Sequence, residues 1–331
     1  MKRILKNTGK TLILPGSVLV VMLTACAIKG VPFWAAQGGF RAFLYTMLIL
    51  VFSAFALGMH LFAGRFDFSL GSVGVLSGII SGQIAVNFDM TSSQMLIVFL
   101  VTGAVLGAVS GLVYILTNLP PIITSLGVCL AYEGLSFTLS GGSGTQIALY
   151  PKLLGGAGVA PMLILLVSGL ALMYILFNHT RFGYNYKAIQ FGQKIAVDTG
   201  LNEKSNAFVC YILAGILVAV TGYLKISYNG SQPPQIGLST SAAVFGAMLP
   251  MFMGGLIGKW CEQNLSMAVG CVTTSIIMQG LSSLGVSIQA RNLITSFLML
   301  AILMYSTNGK SINEWVDRNF AKRSRAVPAR Q

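Results

Sequence analysis

The residues best suited to chemistry in this chain stand inside an otherwise apolar region. Arg65, Asp67 and Ser69 occur in the stretch GRFDFSLGS, between two long hydrophobic runs. An ionisable side chain at membrane depth costs about 3 kcal/mol or more, so it usually faces a partner or a water-filled cavity. Arg65 and Asp67 are two positions apart and would point to different faces of a regular helix. We therefore predict a helical break here, with Asp67 or Ser69 capping a helix that begins at Phe68 or Leu70.

Two interpretations of this break stay open on these residues alone. Broken helices whose free ends line a route through the membrane recur in transporters. Alternatively, Arg65 extends its guanidinium to the lipid interface and Asp67 only caps a helix.

A second polar group lies in the stretch LPPIITSLGVCLAYEGLSF. Thr124 and Ser125 supply hydroxyl groups, and Glu133 lies deep in the apolar run. Glu133 could hydrogen-bond a polyol, relay a proton or pair with Arg65. The stretch GLSTSAAVFGAMLPMFMGG, residues 237–255, has a similar composition, with a hydroxyl-rich start and an internal proline. Breaks in both halves suit an internal repeat, although no residue-level match is evident.

These polar groups must be held by membrane helices. Only 9% of the 331 residues are charged, whereas soluble domains carry about 25% charged residues. A hydrocarbon core about 30 Å thick requires about 20 apolar residues in a helix. We therefore predict an all-α polytopic membrane protein with about ten transmembrane helices, some of them broken or re-entrant. The predicted spans are 12–30, 42–63, 68–87, 93–117, 121–140, 160–178, 208–228, 238–258, 265–284 and 290–308.

The net charge of +13 is distributed as in membrane proteins. Basic residues concentrate in residues 1–11, 179–207 and 309–331, and such clusters mark the cytoplasmic side. Six spans before the middle cluster and four after it satisfy all three placements. We predict a cytoplasmic N-terminus, a transmembrane domain over 12–308 with a cytoplasmic loop at 179–207, and a basic cytoplasmic C-terminus. A basic groove for nucleic acid is not indicated, so no nucleic-acid partner is predicted.

Metal, nucleotide and catalytic signals are missing from the sequence. The five cysteines show no CxxC spacing and only two histidines accompany them, so we predict no metal and no cofactor. GKT at residues 9–11 and GKS at 309–311 lack the earlier glycine of a phosphate-binding loop. An N-terminal LTAC is similar to a lipoprotein signal, but a first transmembrane helix fits better because apolar spans follow it.

The loop between the two groups of spans reads NHTRFGYNYKAIQFGQKIAVDTGLNEKSNAF. It is too polar to span a membrane, and we predict a short helix from Tyr186 to Thr199. Such a helix could lie on lipid or dock in the groove of a partner protein. A solvated connector is the alternative that composition alone leaves open.

Taken in order, these stretches resemble the permease subunits of ABC transporters of the monosaccharide class, which are kin to the branched-chain amino acid permeases. NHTRFG followed by AIQFGQKIAVDTGLN resembles their cytoplasmic coupling segment. RFDFSLGSVGVLSGIISG is similar to their glycine-isoleucine-aspartate-leucine-serine stretch, and LPPIITSLGVCLAYEGLSF to their proline-led segment. The likeness extends from about residue 40 to about residue 305.

The resemblance implies a mechanism and a set of partners. Two permease subunits, identical or different, would form one pathway in the lipid of the cell membrane. Each would rest on a cytoplasmic ABC ATPase, while a solute-binding protein outside delivers a simple sugar or polyol. We predict that the substrate pathway is lined by Arg65, Asp67, Ser69, Thr124, Ser125 and Glu133, of which Asp67 and Ser69 match the acidic and hydroxyl positions of the family. The residues that the resemblance places in the ATPase-coupling segment are Arg181, Gly183, Ala188, Gly192, Ala196, Gly200 and Asn202.

Departures from the family pattern motivate one hypothesis and keep one rival. The family usually has glycine at the position of Arg65 and often arginine at that of Glu133, so the two residues are expected to balance each other's charge. Few fixed charges suit a neutral, hydroxylated solute. The rival is an ion-coupled secondary carrier, with Asp67 and Glu133 as its coupling acids. An intramembrane enzyme would need a nucleophile beside a base, and the sequence offers none.

Overall fold

The computed structural model of the protein describes residues 2–35, 38–258 and 261–325. Eleven α-helices occur in this part of the chain, joined by short connections and one 3-10 helix, Pro151–Ala157. The helices are α1 (Lys2–Ile28), α2 (Gly39–Leu61), α3 (Leu70–Asn87), α4 (Ser92–Thr117), α5 (Pro121–Leu139), α6 (Val159–His179), α7 (Arg181–Asp198), α8 (Glu203–Asn229), α9 (Ser241–Ile257), α10 (Gln263–Ser283) and α11 (Ile288–Arg325).

Strands are confined, within the described residues, to one two-residue pair. β1 (Thr145–Gln146) lies antiparallel to β2 (Ser231–Gln232), with Thr145 opposite Gln232. This pair joins the segment after α5 to the segment after α8.

The predicted fold class is confirmed. Nine helices in the described part of the chain are long and apolar enough to cross a membrane. The remaining predicted span, 238–258, corresponds to α9, which is apolar but only 17 residues long. Each of the ten predicted spans therefore overlaps one helix. The helices α1 and α11 continue through the two basic ends, and residues 326–331 of the predicted C-terminal segment lie outside the described residues.

Close helix contacts in the bundle depend on glycine. A Cβ atom added to Gly107 in α4 would lie 2.3 Å from the carbonyl oxygen of Tyr211 in α8. One added to Gly215 in α8 would lie 2.3 Å from the carbonyl oxygen of Gly103. Without side chains at these positions the two backbones touch, which is how helices gain packing energy in lipid.

The helices pack in two corresponding sets. In the first set α3, α4 and α5 contact one another, and in the second set α9, α10 and α11 do the same. Each set also packs on the helix that precedes the other set. α3 and α4 both pack on α8, whereas α9 and α10 both pack on α2. This correspondence is the packing pattern expected of the internal repeat that the hydroxyl-rich breaks in both halves of the sequence suggest.

Candidate functional site

The helix α3 begins inside the bundle rather than at its end. Its Gly74 lies against Val218 of α8, because an added Cβ would be 3.3 Å from the Val218 carbonyl oxygen. At 1.5 Å per residue Val218 is about 22 Å from the start of α8, and Leu70 lies about 6 Å before Gly74 along α3. Leu70 is therefore about 17 Å from the level at which α8 starts. Residues 62–69, which we call the α3 break, lead to this point without helical structure. The predicted break is thus confirmed, and α3 begins at Leu70, one of the two predicted positions.

A carboxylate holds the last turn of the α3 break. Asp67 Oδ1 accepts hydrogen bonds from the backbone N–H and the hydroxyl of Ser69, both at 2.7 Å. The Ser69 side chain itself caps no amide of α3. A negative charge is favourable at a helix N-terminus, where unpaired N–H groups carry partial positive charge. Of the two predicted caps, Asp67 therefore supplies the acceptor, although the amide it binds is that of Ser69.

A second break, residues 233–240, precedes α9 and is held by Glu133 of α5. Glu133 Oε2 accepts from the Leu238 N–H at 2.7 Å. Its Oε1 accepts from the Thr240 N–H at 2.9 Å and from the Thr240 hydroxyl at 2.6 Å. Glu133 is only 2% exposed, and these charge-assisted hydrogen bonds account for a buried carboxylate at this depth. We call residues 233–240 the α9 break.

The two breaks meet in the middle of the bundle. A Cβ atom added to Gly71, in the first turn of α3, would lie 2.0 Å from the carbonyl oxygen of Thr240. The thiol of Cys129 in α5 lies 3.3 Å from the Thr240 hydroxyl. Two helix N-termini, each with its own carboxylate, are therefore in direct contact.

Arg65 has a different partner from the one expected. Its Nη1 lies 3.5 Å from Oε1 of Glu203, the first residue of α8, and its Nη2 lies 3.7 Å from the Cys210 sulfur. Glu133 is bound to the α9 break instead, so the predicted charge balance between Arg65 and Glu133 is wrong. The physical reason is depth: Arg65 reaches the start of α8, whereas Glu133 lies about 18 Å along α5. Arg65 is only 2% exposed, which also excludes the interpretation that it extends to the lipid interface.

The two predicted hydroxyls of α5 lie beside the α3 break. Ser125 Oγ donates to the Ile122 carbonyl at 3.0 Å and lies 3.5 Å from the Phe66 carbonyl oxygen. Thr124 Oγ1 donates to the Pro120 carbonyl at 3.3 Å within its own helix. Both are buried. Ser125 thus borders the break directly, while Thr124 is satisfied within α5.

The predicted coupling loop forms a longer helix than expected. α7 starts at Arg181 rather than Tyr186, because the Thr180 hydroxyl accepts from the Gly183 N–H at 3.2 Å and caps it. The helix is kinked at Gly192, where φ is 175° and ψ is 85°. The Tyr186 hydroxyl donates to the Gly58 carbonyl in α2 at 3.2 Å. Burial raises the pKa of Tyr186, so the phenol stays a neutral donor.

Polar contacts also join α7 to the start of α10. Gln190 donates to Gln263 Oε1 at 3.0 Å. Lys187 donates to Asn178 Oδ1 at 2.6 Å, and the Asn178 amide donates to Glu262 at 3.2 Å. The helix α7 therefore rests on the end of α2 and the start of α10 together.

The predicted coupling residues divide by burial. Gly183 and Ala196 are buried, Gly192 is half-buried, and Arg181, Ala188, Gly200 and Asn202 are exposed. Some of them shape the segment: an added Cβ on Gly183 would lie 2.4 Å from the Phe177 carbonyl oxygen, and Asn202 Oδ1 caps α8 by accepting from the Ser205 N–H at 3.0 Å.

Large apolar side chains on α7 are exposed, and they were not among the predicted site residues. Tyr184 is 62% exposed, Phe191 87% and Ile195 72%. We call these three side chains the α7 patch. Aromatic and branched residues inside a polar loop were the signal that could have identified them.

The helical bundle and its buried breaks define a polytopic membrane transport protein. A family model described as branched-chain amino acid transport system / permease component matches residues 39–307. This covers most of the chain, which therefore belongs to that family of ABC-transporter permeases.

Individual relatives are more distant. The chain is 24% identical to the autoinducer 2 import system permease protein LsrD of Escherichia coli (strain SMS-3-5 / SECEC) over 284 residues, which cover 80% of this chain and 83% of the relative. It is 23% identical, with the same coverage, to LsrD of Salmonella paratyphi B (strain ATCC BAA-1250 / SPB7) and of Salmonella typhi. No solved structure matches the chain.

Family membership confirms the resemblance predicted from the sequence motifs. The protein is a multi-pass membrane protein and a transport subunit rather than an enzyme. Permeases of this family work with ATPase and substrate-binding partners.

Proposed function

We propose that this chain is the membrane-spanning permease subunit of an ATP-driven importer of the cell membrane, and that its solute is a simple sugar or related polyol. The similar LsrD proteins are named as import permeases for autoinducer 2. Hydroxyl and amide groups around the two breaks suit a solute that is recognised by hydrogen bonds. The predicted pathway residues Asp67, Ser69, Ser125 and Glu133 all lie at these breaks.

One observation carries the proposal: α7 is tied to the α3 break. Tyr186 holds the last turns of α2, directly before the break, and Glu203 follows α7 and pairs with Arg65 inside the break. A displacement of α7 would therefore move the end of α2 before the α3 break and Arg65 within the break. ATP-driven movement of a partner below α7 would switch the pathway between two arrangements, since a ligand or partner shifts a two-state element by its differential contacts.

The charge pattern and the α7 patch support a side of the membrane for each partner. If the basic clusters of α7 and both chain ends lie in the cytoplasm, the ATPase would contact the α7 patch there. The solute-binding protein would act at the opposite face, near β1 and β2. A second permease subunit, identical or different, would complete the pathway within the lipid.

A pull-down tests the ATPase contact. The protein is solubilised in detergent and purified by an affinity tag, and the co-purified P-loop ATPase is identified and measured by mass spectrometry. We expect Phe191→Glu with Ile195→Asp to reduce its recovery at least about tenfold, because apolar anchors at an interface contribute about 2 kcal/mol or more. Both side chains are exposed, so the fold should not change.

A matched control uses an apolar residue away from α7. Leu149 is 88% exposed and precedes the 3-10 helix, and Leu149→Glu should leave the ATPase recovery unchanged. Recovery of no ATPase with the unaltered protein, together with solute uptake that stops when the ion gradient is collapsed, would reject the importer in favour of an ion-coupled carrier.

A further inference from the structure

A polar cavity lies beside the contact between the two breaks. Its volume is about 360 Å³, within the range of about 300–1,000 Å³ that small-molecule sites occupy. Gly71 of α3 and Thr240 of the α9 break both line it, so it opens onto the point where the helix N-termini meet. Further hydrogen-bonding side chains in its wall are Tyr45, Asn229, Gln232, Gln235 and Ser239.

Lys225 is the one charged residue in the wall of this cavity. It was not among the predicted site residues, although a lone lysine in the apolar run 208–228 is a signal of the same kind as Glu133. Within the described part of the chain its ammonium group has no hydrogen bond or ion pair. A cation at membrane depth is costly unless it faces a cavity and a partner.

The described carboxylates do not neutralise Lys225. Asp67 and Glu133 are bound to backbone amides at the two breaks, and Glu203 pairs with Arg65. Asp89 pairs with Lys152, Glu262 accepts from Asn178 and Asn264, and Asp198 lies in α7. The wall of the cavity therefore combines one lysine without a carboxylate partner among the described residues and several neutral hydrogen-bonding groups.

Lys225 also stands at the passage from this cavity towards the α3 break. A second, narrower cavity shares Gly71, Lys225 and Ala243 with the first and continues to Leu57 and Leu70. A solute bound at Lys225 would thus occupy the mouth of a path that leads to the start of α3.

We infer that Lys225 is a solute-binding residue, and that the solute carries an anionic group beside its hydroxyls, as a sugar acid or a sugar phosphate does. The ammonium binds the anion, and the amide and hydroxyl groups of Asn229, Gln232 and Ser239 bind the sugar hydroxyls. The inference rests on the proposed function, a permease for a sugar or polyol. It specifies a sugar that carries an anionic group, in place of the neutral solute that the sequence favours.

Ligand titration of the full-length protein in detergent tests the inference. The probes are galactose, galacturonate and galactose 1-phosphate, added separately while the thermal unfolding midpoint and the Kd are measured, because a ligand that binds only the folded state raises the midpoint. We expect at least one of the two anionic sugars to bind and galactose to bind at least about tenfold more weakly. Lys225→Met should abolish this preference, and Lys225→Arg, which keeps the charge, should retain part of it.

Lys204→Met is the matched control, because Lys204 is an exposed lysine at the other end of α8. It should leave the preference for the anionic sugar unchanged. Unfolding midpoints without ligand show whether each variant is folded. Equal binding of all three sugars, no binding of any, or an unchanged preference in Lys225→Met would each overturn the inference. Because the pull-down reports on α7 instead, a failure here with normal ATPase recovery rejects the Lys225 site and leaves the importer intact.

Discussion

The α3 break and the α9 break place similar groups at a helix N-terminus, but the carboxylates come from different parts of the chain. Asp67 belongs to the α3 break itself and binds Ser69 two residues later. Glu133 comes from α5 and binds Leu238 and Thr240, more than a hundred residues away in sequence. The carboxylate of the α3 break thus acts locally, whereas that of the α9 break acts only while α5 is docked.

The two breaks also lead to opposite ends of the bundle. The α3 break follows the end of α2, where Tyr186 of α7 is bound to Gly58. The α9 break follows β2, which pairs with β1 after α5. Since their inner ends touch at Gly71 and Thr240, a change at either break alters the same central contact from a different side.

The largest difference between the breaks should appear on removal of their carboxylates. Glu133→Ala leaves the two buried donors of Thr240 and the partly buried N–H of Leu238 without an acceptor, and we expect a loss of about 3–5 kcal/mol in unfolding free energy. Asp67→Ala removes a local cap and should cost about 1–2 kcal/mol. Thermal unfolding of the purified proteins measures both.

A control for this pair is Asp89→Ala, an exposed carboxylate whose loss should stay within about 0.5 kcal/mol. Equal losses for Glu133→Ala and Asp67→Ala would show that the α9 break does not depend on α5.

The contact between the breaks should be sensitive to a single methyl group. Gly71→Ala places a Cβ 2.0 Å from the Thr240 carbonyl oxygen, so the two breaks must separate, at a cost of about 1–3 kcal/mol. Uptake of solute into cells and the unfolding midpoint report the effect. Gly246 in α9 faces open space, and Gly246→Ala should be neutral or slightly stabilising. If Gly71→Ala has the unfolding midpoint and the solute uptake of the unaltered protein, the two breaks do not need to touch.

Arg65 provides a smaller and more selective test, because it belongs to the α3 break alone. A double-mutant cycle with Arg65→Gln and Glu203→Gln should give a coupling energy on the order of 1 kcal/mol, since Glu203 is partly exposed. The cycle of Arg65→Gln with Glu133→Gln should be additive within about 0.5 kcal/mol, because the two side chains have different partners. The reverse result would restore the expected pair of Arg65 and Glu133.

The partner of Arg65, which is Glu203 and not the expected Glu133, shows how far the sequence could predict this site. Ionisable residues beside glycine in an apolar run identified the α3 break and its helix start, because those signals are local. The partner of each charge depends on its depth in the bundle and on the direction of its helix, which residue types do not reveal. Arg65 and Glu133 had opposite charges and so were expected to pair, yet they lie at different depths.

The larger architecture was predictable where hydrophobicity determines it. Length and apolar content identified the nine helices of the described residues that can cross a membrane, and also the shorter apolar α9. The internal repeat was only suggested, because it lies in which helices pack together and not in matching residues. Lys225 was missed because it belongs to none of the quoted motifs. Phe191 and Ile195 of the α7 patch lie within the coupling motif AIQFGQKIAVDTGLN, but their exposure depends on how α7 packs, which the motif does not reveal.

The smallest expected effect concerns the kink of α7, which bears on the α3 break but not on the α9 break. At Gly192 φ is 175°, an extended value open to any residue, and an added Cβ would make only ordinary contact, 3.5 Å from Ile195. Gly192→Ala should therefore change unfolding free energy by less than about 0.5 kcal/mol and leave ATPase recovery intact. Gly183→Ala, whose Cβ would lie 2.4 Å from the Phe177 carbonyl oxygen, should displace α7 and lower recovery. If Gly192→Ala alone abolishes recovery, the kink itself must move during coupling, and the α3 break would respond to bending of α7 rather than to its displacement as a unit.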